Sequence, residues 1–484
     1  MSQLEMTRRQ WLQAATATGC ALASMPVLSR PAQAAEPGQP LALGSRRELL
    51  VDDYLVSRLT QAALHLHPPT PKEVVITCDA PWEGNTSAYY TLFADGDRFR
   101  MYYRGAHYDE ATRKPVHPEF ACYAESRDGV HWEKPQLGLF EFQGSKKNNI
   151  VWAGSGTHNF TPFKDENPAA TADARYKALA GGRATVEGKS KAVLQAYKSP
   201  DGIHWSLMRE EPVITDGAFD SQNLAFWHPG QQRYLDFHRK GRNGVRDIMT
   251  ASSTDFLNWT APQFLEYSDA PTEHLYTNAV QLYPRAPHLF IGFPTRFQPK
   301  NEQVEPVFMT SRDGLHFNRW TQPLIPITAP KDRDGNRSNY MTRGLLQLPG
   351  QDRELSVYAT EAYYAGPGSR VRRFTFRTDG FVSLRADGPG GELVTKPLTF
   401  TGGKLTLNYA AKAGGSVRVE VLDAATQQPA LGLTAAACRP LTGDEIEATV
   451  TWSTTGDLAK LAGQPVQLRI LLDQADLYAL RFGA

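Results

Sequence analysis

One heptapeptide recurs along the chain and decides most of what it can fold into. Ser126-Arg127-Asp128-Gly129-Val130-His131-Trp132 returns as Ser199-Pro200-Asp201-Gly202-Ile203-His204-Trp205, and again as Ser311-Arg312-Asp313-Gly314-Leu315-His316-Phe317. A degraded copy is Ser253-Thr254-Asp255-Phe256-Leu257-Asn258-Trp259, and a weaker fifth is Arg377-Thr378-Asp379-Gly380-Phe381. Asp-Gly supplies a tight turn because its backbone tolerates positive φ. The aromatic three residues past the Gly starts the return strand and can pack on the sheet face. An alternating strand precedes each of the first four turns: 120–124, 193–197, 247–250 and 307–310. Further strands, 99–104, 233–239, 289–293 and 355–359, complete the pattern. The unit therefore reads strand, strand, strand, turn, strand, which is a propeller blade rather than a solenoid coil.

Five turns predict five blades over residues 46–384, with 49–55 as a strand that closes the last blade. Closure removes the open edges that a flat sheet would expose. After Leu384 the texture changes to short strands such as 404–408, 416–421 and 465–470 between Gly and Pro turns, which predicts a β-sandwich over 385–484. The expected class is all-β: a five-bladed β-propeller followed by a C-terminal β-sandwich.

The first residues read as an address. Thr7-Arg8-Arg9-Gln10-Trp11-Leu12 is a twin-arginine pattern, an apolar run extends from Ala14 to Val27, and Ala32-Gln33-Ala34 offers a small-residue cleavage site. Residues 1–34 are expected to be a twin-arginine signal peptide and 35–45 a linker, giving a periplasmic or secreted mature protein. Cys20 lacks the Leu that precedes a lipoprotein cysteine at the usual place. No later apolar run reaches the roughly 18–20 residues of a membrane span. The formal net charge of +1 argues against a nucleic-acid partner. Beyond the signal, Cys78, Cys122 and Cys438 form neither a complete disulfide set nor a zinc pattern. A Cys78–Cys122 bridge is compatible with an oxidising compartment, but the plain reading is three small buried residues.

Function is expected where inner strands line a central funnel. Segments 82–87, 158–165, 219–223, 273–278 and 337–343 precede the apolar second strands and are polar where purely structural inner strands would be Val, Ala and Gly. Hydrolysis of a glycosidic bond needs two carboxyl groups, one to protonate the leaving oxygen and one to act as nucleophile or base. Asp220, Glu273 and Glu83 begin or approach these segments and are the catalytic candidates. His158, Asn159, Asp165, Asn223, His274 and Tyr276 are candidates for holding sugar hydroxyls. Arg104 and Arg239, after aromatic-rich strands, suit a carboxylate or sulfate on a sugar if they are not solvated edge charges. No cofactor is expected. Calcium is compatible with the oxygen and His residues, although no spacing demands it.

With its Ser-x-Asp-Gly-x-x-Trp turns at 126 and 199 and the related turn at 311, the chain resembles the five-bladed furanosidase superfamily of invertases, inulinases, levanases and arabinanases (glycoside hydrolase families 32 and 43). The stretches 461–469 and 477–482 resemble the sandwich appended in the invertase branch. The resemblance implies a carbohydrate substrate and a hydrolase of O-glycosyl bonds. The branch's Asn-Asp-Pro-Asn, Arg-Asp-Pro and Glu-Cys motifs are absent, and Lys164-Asp165-Glu166-Asn167-Pro168 is only a loose echo of the second. The alternative from another class is a non-catalytic carbohydrate-binding propeller; a phosphate-using phosphorylase suits an exported protein less.

Overall fold

The structure is a computed structural model that describes residues 39–268, 270–300, 302–326, 338–454 and 456–484. The expected signal peptide, Cys20 and Arg337 lie outside the described residues. The chain is all-β, with a propeller-like arrangement of sheets; the described residues hold no α-helix, only short 3-10 turns such as Thr157–Asn159.

Sheets follow one another as the repeat requires. The first runs from inner to outer strand as Ala88–Asp95, Arg98–Gly105, Phe120–Ser126 and Ile150–Ala153. The second is Thr161–Lys164, Tyr176–Val186, Lys189–Ser199 and Ser206–Leu207, and the third Leu224–His228, Arg233–Arg242, Val245–Ser253 and Gln263–Phe264. A larger fourth sheet is built on Gln281–Tyr283, Ala286–Gly292, Gln303–Ser311 and His316–Pro323. The fifth pairs Glu354–Glu361 with Arg370–Arg377 and then with Thr70–Thr77. Apolar cores fill the gaps between neighbours: Tyr102 and Tyr123 of the first sheet pack with Tyr197 of the second, and Tyr358 of the fifth packs with Met101 of the first.

The recurring turn has one construction at its four good copies. In the first, Asp128 Oδ1 accepts the backbone N–H groups of Val130 and His131 (both 2.8 Å), Ser126 Oγ accepts that of Gly129 (2.9 Å), and His131 Nδ1 lies 2.7 Å from Asp128 Oδ2. These bonds are why Ser and Asp keep fixed offsets. Gly129 stands at φ 73°, and Phe256 accepts φ 68° at the degraded copy. The turns also bolt neighbouring sheets together. Tyr358 donates to Gly129 O (2.7 Å), and Tyr102 donates to Gly202 O (2.8 Å).

Three expectations are corrected. Asp379 is not a fifth copy of this turn: it sits at φ 61°, fully buried, bound by Arg47 Nη1 and Arg285 Nε (3.0 Å each) and by Tyr283. The strand that pairs with Arg370–Arg377 is Thr70–Thr77, whereas Arg47–Leu49 pairs with Val466–Gly483. Part of the expected linker is a strand as well, Leu41–Gly44, parallel to Leu398–Phe400. Strands within 41–66 thus join 382–484 in one continuous ten-stranded sheet around its own core, and the boundary expected at 384 falls inside Val382–Ala386 of that sheet. Its two long strands, Lys404–Asp423 and Val466–Gly483, break register between Ala411 and Ser416, where a bulge lets the sheet bend. Cys78, Cys122 and Cys438 are free and buried.

Candidate functional site

The segment Phe219–Asn223 is fastened to three other stretches of the chain, at Asn159, at Tyr276 and at Tyr90–Thr91. It precedes the inner strand Leu224–His228, so it lies at that strand's mouth rather than within it. Asn159 Nδ2 donates to the carbonyls of Phe219 and Ser221 (2.7 Å to the latter), while its Oδ1 accepts Gly181 N–H (2.7 Å). Asn223 Nδ2 donates to the same two carbonyls, at 3.3 and 2.9 Å. Ser221 Oγ donates to Tyr276 O (2.7 Å), and Gln222 Nε2 reaches Tyr90 O and Thr91 Oγ1 (both 3.1 Å). Asn159 and Asn223 are therefore spent on holding the backbone either side of Asp220, whose own side chain is 67% exposed.

Asp220 opens into a groove that it shares with Glu119, His158, Gly181, Gly182 and Arg183. Glu119 lies 2.9 Å from His158 Nδ1 and 3.6 Å from Arg104 Nη1. Burial raises the Glu119 carboxyl, but the His158 hydrogen bond and the Arg104 charge outweigh it and hold it below the ordinary range. Arg104 is buried; it donates twice to Thr86 O and once to Tyr363 Oη (3.0 Å). Asp220 is paired with Arg239.

Beside this groove, tyrosines line a narrow pocket: Tyr89, Tyr90, Tyr276, Tyr340 and Tyr363, with Gln222 and Thr342. The guanidinium carbon of Arg104 lies 4.9 Å from the Tyr89 ring centroid, and that of Arg239 4.6 Å from Tyr276. Tyr89 holds φ 59°, a left-handed backbone that costs an aromatic residue roughly 1–3 kcal/mol and is characteristic of sites. Its hydroxyl donates to Asp220 O (3.2 Å), which links pocket and groove.

Other sequence candidates lie elsewhere. Glu83 is buried, accepting from Tyr103 Oη (2.5 Å), Lys134 Nζ (2.6 Å) and Ala80 N–H (3.1 Å), in a loop before the inner strand Ala88–Asp95. Asp165 is buried against Lys177 and Tyr234 Oη (2.7 Å). Glu273 binds Arg296 (3.0 Å) and Arg319 (2.6 Å) in a separate depression with Asp247 and Tyr267. His274, its basicity lowered by burial and by Arg246, accepts Arg246 N–H at 3.2 Å. Glu119 escaped the sequence reading because it ends a loop, between Pro118 and the strand Phe120–Ser126, with no motif around it. Among the described residues no three or more His, Cys, Asp or Glu side chains converge as a metal site.

No family model matches the chain, and no curated protein is significantly similar to it. Solved structures are similar at low identity. A structure titled glycoside hydrolase shares 14% identity at a TM-score of 0.45, covering 65% of this chain and 93% of that one. An N-acetylgalactosamine deacetylase from F. plautii, in complex with blood group B trisaccharide, shares 14% at 0.44, over 66% and 96%. The Bombyx mori GH32 beta-fructofuranosidase shares 11% at 0.41, over 86% and 94%.

Proposed function

We propose that the chain is a carbohydrate-active enzyme, a glycoside hydrolase whose groove carboxylates are Asp220 and Glu119. The observation that carries this reading is that two carboxylates line one open groove, next to a pocket walled by tyrosines. Tyrosine rings offer flat apolar faces with hydroxyl handles, which suits a pyranose or furanose ring. Glu119, held ionised by His158 and Arg104, is suited to act as nucleophile or base. Asp220, which opens into the same groove, is the second carboxyl that hydrolysis of a glycosidic bond requires. Tyr276, His158 and Arg104 take the substrate-positioning part, while Glu83, Glu273 and Asp165 belong to structural ion pairs. In this reading the consecutive sheets make five blades, with Thr70–Thr77 closing the fifth, and the bent ten-stranded sheet is the sandwich. Action outside the cytoplasm is proposed from the order of twin arginine, apolar run and cleavage site in residues 1–34.

A second reading, a non-catalytic glycan-binding propeller, is favoured by the fact that both carboxylates already have cationic partners. Sugar release from a broad glycan panel separates the two. The hydrolase reading expects release by the wild type, loss in Asp220→Asn and in Glu119→Gln, and retention in Glu273→Gln. Glycans retained by the protein without release, equally in all variants, would establish the binding module.

A further inference from the structure

Resting on that carbohydrate reading, we infer that the sugar bound at this mouth carries an oxyanion, a uronic carboxylate or a sulfate ester. Arg183 lines the groove with Glu119 and Asp220, and Arg104, Arg239 and Arg246 lie against Tyr89 and Tyr276 of the adjoining pocket. Glu119 is shared between His158 and Arg104, and Asp220 is paired with Arg239.

The pairing of the third sheet aims two of these arginines together. Arg239 is opposite Ile248 and Gly241 is opposite Arg246, so Arg239 and Arg246 are diagonal neighbours on one face of the hairpin. Their guanidinium carbons lie 4.6 and 5.4 Å from the ring centroid of Tyr276, a wall of the tyrosine pocket. Lys240, on the opposite face, is neutralised by Asp216. Arg246 is half-buried, packs over Phe297 and Tyr276, and makes no ion pair among the described residues. Among the described residues Arg183 hydrogen-bonds only to Ser190.

Arg239 supplies the decisive detail. It is only 6% exposed, one arm holds Asp220, and Nη1 is buried without a hydrogen-bond partner among the described residues. Leaving a buried guanidinium N–H unpaired is unfavourable. An oxyanion is the group that would repay this, since a planar guanidinium fork matches carboxylate and sulfate. A neutral hydroxyl fills one bond but leaves the excess charge.

The test uses matched ligands on the full chain: oligogalacturonates against their carboxyl-reduced counterparts, and sulfated galactan oligosaccharides against desulfated ones, with inorganic phosphate as a free anion. Titration calorimetry should show one acidic member binding at least about tenfold tighter than its neutral partner, weakening with salt. The pair that shows it identifies carboxylate or sulfate. Arg246→Gln should shrink that preference. Arg239→Lys, which keeps the charge but loses the fork, should shrink it too. Neutral glycans binding as well as acidic ones would overturn the anion and leave the carbohydrate reading standing. Binding of phosphate with no preference among the sugar pairs would also overturn it. Binding by no member of the panel would remove both readings together.

Discussion

Arg239 holds the Asp220 carboxylate with one arm of its guanidinium and leaves the other arm buried and, among the described residues, unpaired. The pair is therefore lopsided: the acid is turned toward solvent while the base is sealed under Tyr276. Four contacts to Phe219 O and Ser221 O, from Asn159 and Asn223, keep the acid in that place.

Replacing Asp220 with Asn should lower glycan release by about 100-fold or more, the scale of a lost general acid or base. Because its side chain is largely exposed, the cost in stability should stay near 1 kcal/mol or below. Initial rates beside a thermal melt measure both. Unchanged release would remove Asp220 from the chemistry.

Asn159→Ala should behave differently. It deletes buried bonds to Phe219 O, Ser221 O and Gly181 N–H, so a loss of about 2–3 kcal/mol is expected in urea unfolding. Turnover should fall while substrate affinity at the tyrosine pocket changes less, since Asp220 would be misplaced rather than missing. A variant as stable as wild type, with full turnover, would show that the segment holds itself.

Glu83→Gln should separate fold from function. The variant leaves Lys134 without its buried partner, and a destabilisation of about 3–5 kcal/mol is expected. Below its melting temperature, glycan release should remain within about twofold of wild type; a selective loss of turnover in a folded variant would return Glu83 to the active site.

Acid should loosen the seam between the large sheet and the fourth sheet. Burial pushes the Glu48 carboxyl up, yet the His288 contact (3.2 Å) and the charges of Arg312 and Arg46 pull it down to about 2. A carboxyl depressed on folding contributes stability that is fully present above its unfolded pKa, near 4.3, and is lost as pH falls through the folded value. Melting temperature should therefore drop between about pH 4.5 and 2, and Glu48→Gln should flatten that part of the curve. An equal slope in both proteins would locate the acid sensitivity elsewhere.

Much of the architecture could be read from the chain because turn chemistry is local. Ser126, Asp128 and His131 satisfy each other within six residues, so their spacing survives as a visible motif. Pairing between distant segments leaves no such trace. Nothing in 70–77 announces that it will lie against Arg370–Arg377, and the alternating run at 49–55 looked equally fit to close the ring. Asp379 copied the motif's letters but lacked the Ser that accepts the turn's N–H, and it serves Arg47 and Arg285 instead. At the mouth, Asp220 and Tyr276 were legible as polar residues before inner strands. Glu119 was not, since its partners Arg104 and His158 come from other strands and loops.

The pairing of Thr70–Thr77 with Arg370–Arg377 also sets an order of assembly. A strand made early must wait, with one edge unsatisfied, until nearly three hundred further residues have been synthesised. Loop closure over that span is slow, and the large sheet imposes the same delay by joining 41–66 to 382–484. That pairing is thus a latch thrown last. A chain cut short anywhere before residue 377 would present open strand edges to its neighbours, so incomplete products should aggregate rather than persist as smaller working pieces.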